Sequence, residues 1–456
     1  MKKTINFLLC LIILIIPLCL SVNASYNSSI KLPCSSEVAY LENLEYSTVV
    51  FDINADERRA PASLTKIATA AVVLKEVSEK GIDIENTIIT VPDYAIRLLD
   101  NTDSSTAGVL AGEQMSIHNM LYCLLLSSGN DASNVLADYF GDGNIQSFVD
   151  KMNSLALSLG CTNTHFNNAH GLDDPDHYTT ARDLAKITKY ALHFPVFETI
   201  TDTYEYTVPE TNLSKPRELV NTNKLITTDK SSGYYYEYAH GVKTGTTDNA
   251  GHCLISTAKK DGQTYISVVM GGLWQDFTGD ELKDNGAFLD TKAMFSWAFE
   301  NMKVRTVADP NQIITVVDVK LSWTVDHLRL VPSEVQKMLV PSSVDSDTVM
   351  IVPAEDSLPE YVNAPIKKGQ VVAKARIMYA DEEIGTIDLV AAEGVKRSII
   401  LSVFSKIKTV FTSIIFKIAA AVSILLIAGY VTINIIYNKR KNKIHMVRAN
   451  YNNKRR

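Results

Sequence analysis

The chain has 456 residues, 46% hydrophobic and 21% charged, with 21 Gly and 14 Pro, which excludes a collagenous or wholly disordered protein. Its net charge of -7 hides a split: of 44 basic residues, two lie in 1–24 and 13 in 396–456, so 29 bases face all 51 acids in between, a balance of -22. So acidic a body excludes a broad nucleic-acid-binding surface, and the length allows two or three globular units.

In chain order, residues 1–24 open with Lys2 and Lys3, continue as the apolar run Phe7–Leu20 and end Val22-Asn23-Ala24. That pattern predicts a secretory signal cleaved after Ala24. Strands are expected over Val38–Leu41 and Thr48–Asp52, then a helix from near Pro61, a residue suited to a first turn. Met120–Phe140 reads as two helices broken at Ser127–Asp131, and Thr180–Leu192 as another. Gly251–Gly272 runs apolar or alternates on either side of Asp261-Gly262, which predicts a hairpin. The Tyr234-Tyr235-Tyr236 run before it reads as half-buried strand packing, and Thr291–Glu300 as a helix. These elements place one domain over 25–302.

After Met302 the texture changes. Six of the 14 prolines fall in 303–395, among β-branched runs such as Ile313–Leu321, Val371–Met378 and Ile384–Val390, so a separate small all-β domain is expected there. Over 396–417, polar residues recur at helical spacing, as in a helix lying in a membrane interface. Ile418–Tyr437 carries no charge and is long enough to span a bilayer. The tail over 438–456 holds Lys439, Arg440, Lys441, Lys443, Arg448, Lys454, Arg455 and Arg456. By the positive-inside rule this tail is cytoplasmic and the acidic body faces outward. Cys34, Cys123, Cys161 and Cys253 form no C-x-x-C pair and read as small buried apolar residues.

The chain has no G-x-S-x-G, no H-E-x-x-H and no phosphate loop. Three short motifs remain. Ser63-Leu64-Thr65-Lys66 follows Pro61, so the expected helix carries Ser63 at its N-terminus and Lys66 one turn on, on the same face. A neutral amine there could take the serine proton, and the helix dipole would favour charge developing nearby. Ser128-Gly129-Asn130 falls in the break between helices; taken alone it reads equally well as a capping turn. Lys243-Thr244-Gly245 occurs once, on a predicted strand, where a cation, a hydroxyl and a bare backbone suit a carboxylate and an extended peptide. His165, His170 and His177, interleaved with Asp173, Asp174 and Asp176, match no common zinc spacing and read as a structured loop.

In this order, and with the flanking runs RRAPASLTK (58–66), LLLSSGNDASN (124–134), TNTHFNNAHGLDDPDHYTTARD (162–183) and HGVKTGTT (240–247), the chain resembles the serine D-alanyl-D-alanine carboxypeptidases, the low-molecular-mass penicillin-binding proteins of peptidase family S11. The resemblance implies an α+β fold: a β-lactamase/transpeptidase-like catalytic domain with an antiparallel sheet flanked by helices. A small all-β sandwich domain and a C-terminal transmembrane helix would follow. It implies Ser63 as the acylated nucleophile, Lys66 as its base, and Ser128 and Asn130 flanking the scissile amide. Lys243, Thr244 and Gly245 would hold the terminal carboxylate, and the N–H groups of Ser63 and Thr246 the oxyanion. It also implies peptidoglycan stem peptides ending in D-Ala-D-Ala as substrate, β-lactams as acylating inhibitors, a single-pass location in the cell membrane, and neither cofactor, metal nor nucleic acid. Two rivals share the motifs: a class A-like β-lactamase, which would need an E-x-x-L-N run absent here, and a non-catalytic peptidoglycan-binding protein.

Overall fold

The computed structural model describes residues 30–34, 36–102, 104–277, 279, 282–343, 348–379 and 382–453. The predicted signal, 1–24, lies outside them. The chain divides into two units. One runs to Arg305 and takes in Lys337–Val349 and Tyr379–Gly385; the other comprises Thr306–Gln336, Met350–Met378 and the residues from Thr386 onward.

The first unit is organised on an antiparallel sheet. β1 (Val38–Asn43) and β2 (Thr48–Ile53) form a hairpin, and β3 (Ala239–Thr247), β4 (Gly251–Lys260) and β5 (Gln263–Gly272) a meander. Their order across the sheet is β2-β1-β5-β4-β3, with Val38 opposite Met270 and Asn43 opposite Tyr265. The β4–β5 turn has φ of 52° at Asp261 and 76° at Gly262, the two positive values that a tight, right-twisted hairpin requires.

Both faces of this sheet are buried. Along β1, Val38 and Tyr40 join one apolar cluster while Ala39 and Leu41 join the other, the period-two alternation of a strand. The first cluster is filled by α1 (Thr65–Lys80), α2 (Ile117–Leu125), α3 (Asn130–Phe140), α4 (Ile145–Ser158) and α5 (Ala181–Leu192). The second is covered by α6 (Gly286–Asn301) through Phe288, Met294 and Phe295. All ten residues from Thr65 to Leu74 are buried. With no wet face over those turns, Thr65, Lys66 and Thr69 must find partners inside the protein.

Two expectations change. The α-helix begins at Thr65 rather than near Pro61, because Ala62 takes φ +47° and Ala62–Leu64 winds as a 3-10 turn. The tyrosine run lies outside any strand; Tyr234 packs on Phe288 and Tyr236 on Phe295, at ring-centroid distances of 5.0 and 6.1 Å. The four cysteines are free and buried, and burial pushes the thiols of Cys34, Cys123 and Cys161 up to about 12.

The region beyond Arg305 is built of β-strands, as its β-branched runs predict. Its six-stranded sheet runs Val349–Pro353, Val371–Tyr379, Glu382–Ala391, His327–Pro332, Thr315–Lys320, Tyr361–Asn363. Then come α7 (Ile399–Thr412) and α8 (Ile414–Asn453), parted at Ser413, whose ψ of 143° is extended. Ile414–Lys441 is long and apolar enough to cross a membrane.

In the first unit the Asp290 side chain, fully buried on α6, accepts the N–H of Cys34 at 2.8 Å, the N–H of Ser36 at 2.9 Å and the Ser36 hydroxyl at 2.5 Å. It ties the segment entering β1 to α6. Replacing Asp290 by Ala orphans those donors and should lower unfolding free energy by about 2–4 kcal/mol in urea titrations.

Candidate active site

A cleft of the first unit, about 500 Å3, is lined by Ser63, Asn130, Thr102, Ser104, Ser105, His170–Asp173 and Thr246–Asp248. Ser63 sits in the 3-10 turn ahead of α1, and Lys66 in the first turn of the helix reaches back to it. Lys66 Nζ donates to Ser63 Oγ at 2.9 Å, to Asn130 Oδ1 at 2.6 Å and to the His170 carbonyl at 2.8 Å. The side chain is fully buried. Burial pushes this amine well below the usual lysine range, the charge on Lys243 pushes it further, and Asp131 opposes both.

The three partners settle what the neutral amine can do. It has two N–H bonds and one lone pair, and an amide or peptide oxygen can only accept. Ser63 alone among the three has a proton to give. Once Lys66 is neutral, its N–H bonds go to Asn130 and His170 and its lone pair faces the Ser63 hydroxyl.

Ser128, 5% exposed and at φ +60°, precedes α3, whose first residue is Asn130. The Asn130 N–H donates to the Ser105 carbonyl at 2.8 Å. Next to it the buried Asp131 carboxylate accepts N–H groups of Ala107 (2.9 Å), Val109 (2.9 Å) and Ala132 (2.8 Å). The loop that supplies Thr102, Ser104 and Ser105 to the cleft is thereby fastened to α3.

The third motif lies on β3, an edge strand with β4 as its neighbour in the sheet. Gly245 lets this strand close on the nucleophile turn: a Cβ there would stand 3.1 Å from both the Pro61 oxygen and the Ser63 nitrogen. Lys243 is fully buried, and burial holds its amine down to about 7. Its Nζ donates to the Thr244 carbonyl at 2.9 Å, while the Thr244 hydroxyl lies 2.6 Å from that of Thr222. Thr246 is exposed on the cleft, with its hydroxyl 3.2 Å from His252 Nδ1.

Of the eight residues singled out in the sequence, Lys66 bonds directly to Ser63 and Asn130, Thr246 shares their cleft, and Ser128 is buried two residues before Asn130. Gly245 abuts the Ser63 turn, whereas Lys243 and Thr244 bond to their own strand and to Thr222. The His170 carbonyl, the Asp131 clamp and Thr222 were not anticipated. A backbone carbonyl has no residue-type signature, and in the sequence Asp131 stands only as the last residue of the expected break Ser127–Asp131.

Residues 28–273 match the family described as D-alanyl-D-alanine carboxypeptidase, peptidase S11, and residues 324–397 match the C-terminal domain of penicillin-binding protein 5. The chain belongs to the D-alanyl-D-alanine carboxypeptidase family. It is 30% identical to the D-alanyl-D-alanine carboxypeptidase DacF of Bacillus subtilis, over 81% of this chain and 88% of that one. Penicillin binding protein 5 from Haemophilus influenzae superposes with a TM-score of 0.60 at 26% identity, covering 80% of this chain and 98% of that one. The DacD carboxypeptidase of Francisella tularensis does so with a TM-score of 0.63 at 27% identity, covering 81% and 95%. Membership in this family decides for the carboxypeptidase, a hydrolase of the penicillin-binding protein group, against both rivals.

Lys243 binds its proton at about 7 when folded, against an ordinary lysine value of 10.5. Between those values the unfolded chain holds the extra proton, so raising the pH stabilises the fold. Compared with Lys243→Met, the natural chain should gain about 4 kcal/mol across that window, read from urea unfolding at a series of pH values.

Proposed function

We propose that this chain removes the terminal D-alanine from peptidoglycan stem peptides through an acyl-enzyme on Ser63, and that β-lactams acylate the same hydroxyl. The observation that carries this reading is the buried Lys66 amine, whose one proton-giving partner among its three contacts is Ser63. Lys66 takes the Ser63 proton as Oγ attacks the penultimate carbonyl. Ser128, two residues before α3, relays that proton to the departing amine, and Asn130 orients Lys66 and the substrate carbonyl. The N–H groups of Ser63 and Thr246 receive the oxyanion, and Lys243 with Thr244, beside Gly245, holds the terminal carboxylate. The peptide adds alongside β3, which among the described strands has a paired neighbour on one side only. Water then cleaves the ester.

The same reading gives the chain its parts. Residues 1–24 are an export signal, 25–302 the catalytic domain and 303–395 the β-rich domain. Residues 396–417 are an interfacial helix, 418–437 a single membrane span and 438–456 a cytoplasmic tail, with the catalytic domain on the cell-wall side. Support comes from the apolar helix Ile414–Lys441, from the exposed apolar residues Ile400, Phe404, Ile407 and Phe411 on α7, and from the acid-free basic C-terminus.

Incubated with a fluorescent penicillin, the Ser63→Ala chain should show no covalent label, and its release of D-alanine from a pentapeptide should fall by at least about 10³-fold; labelling at the natural level would sink the assignment. The pH profile should also split. The rate of acylation climbs as Lys66 loses its proton, while KM for the peptide climbs above pH about 7, where Lys243 loses the charge that holds the carboxylate.

A further inference from the structure

The loop over 163–178 holds His177, which the chemistry above does not use. It is 2% exposed, with its ring edge-on to Phe166. Its two nitrogens have different partners: Nδ1 accepts the backbone N–H of Asn167 at 2.9 Å, and Nε2 lies 2.8 Å from Thr65 Oγ1. A backbone N–H can only donate, so Nδ1 carries no proton, the ring proton sits on Nε2, and Nε2 donates to Thr65. The Thr65 hydroxyl then gives its own hydrogen to the Ala62 carbonyl, 2.8 Å away. The chain runs one way, from Asn167 through His177 and Thr65 to Ala62. Burial keeps the imidazole neutral, as this direction requires, by holding it down to about 4.

Ala62 is the residue before the nucleophile, and its φ of +47° is one that an L side chain resists. The same loop holds its carbonyl from a second side: at Gly171 a Cβ would stand 1.9 Å from the Ala62 oxygen. A hydrogen bond and a close backbone approach thus grip one carbonyl, and the next peptide carries the Ser63 N–H and side chain.

We infer that His177, acting through Thr65, is a positioning residue that fixes the Ala62 carbonyl and so aims Ser63 Oγ and N–H; it touches neither substrate nor the reacting atoms. The inference rests on the reading of Ser63 as nucleophile, which the Ser63→Ala trial tests by itself.

The test uses the full chain in detergent, with His177→Phe, Thr65→Val, Thr65→Ser and the double variant His177→Phe/Thr65→Val. The readouts are the rate of acylation by fluorescent penicillin, kcat and KM for D-alanine release, and the thermal midpoint. Phe keeps the ring against Phe166, Val keeps the threonine shape, and Ser keeps the hydroxyl. The expected result is an acylation rate and kcat lowered about 10–100-fold in His177→Phe and in Thr65→Val, with KM within about twofold. Thr65→Ser should recover to within about threefold of the natural chain, and the double variant should be no slower than the slower single one, as for residues acting through one link. Unchanged acylation in folded His177→Phe or Thr65→Val overturns the inference. So do equal losses in Thr65→Ser and Thr65→Val, or losses that multiply in the double variant. Should both His177→Phe and Thr65→Val fail to fold, the chain of bonds serves the fold rather than the nucleophile, and the inference likewise falls.

Discussion

An amine sealed inside α1 is the constraint on which the catalytic unit depends. Removing an ammonium group from water costs several kcal/mol unless its protons are met or it gives one up. Lys66 does both by degrees. It finds three oxygen acceptors, and burial together with Lys243 biases it toward the neutral form. Those acceptors come from the turn before α1, from the start of α3 and from the loop at His170, so three separate stretches must be in place before the lysine is satisfied. Asp131 adds a negative charge nearby, itself held by backbone N–H groups, and keeps the bias from being complete. Stability of the helical layer and readiness of the site are in this sense one problem.

The two lysines show how position divides a shared chemistry. Each is fully buried and each is lowered, but Lys66 also feels its neighbour's charge, whereas burial alone acts on Lys243. The first is thereby the readier to be neutral and the second the readier to hold a proton for a carboxylate. A swap of roles would need their surroundings, not their side chains, to be exchanged.

Much of the first unit is legible in the sequence because its signals are local. The β4–β5 hairpin is written in Asp261-Gly262, α5 in the capping threonine Thr180 with Asp183 three residues on, and the α2–α3 break, which falls between Leu125 and Asn130, in the turn-forming residues from Ser127. The β-strand character beyond Arg305 shows in composition alone. The fine structure of the site is not local. Ala62 adopts a left-handed φ that no alanine signals, and its carbonyl meets Thr65, which His177 bonds in turn, and Gly171 from a loop more than a hundred residues on. The tyrosines at 234–236 look like a strand by residue type, yet they lie outside any strand, with Tyr234 and Tyr236 packed on Phe288 and Phe295 of α6. The His170 contribution is a main-chain oxygen, to which side-chain patterns are blind.

The pairing of β1 with β5 governs the order in which this enzyme can come into being. Residue 38 finds its partner at residue 270, so the sheet spans nearly the whole first unit in sequence. Contacts of such separation form late and slowly, since the intervening loop must be closed first. Until β5 is available, β1 and β2 are a two-stranded ribbon with apolar residues on both faces and an unpaired edge, too small to be stable alone. The growing chain therefore remains open, and exposed to wrong pairings, through most of its length. The sheet, and with it the strand that carries Lys243, Thr244 and Gly245, is complete only once the meander over 239–272 is present.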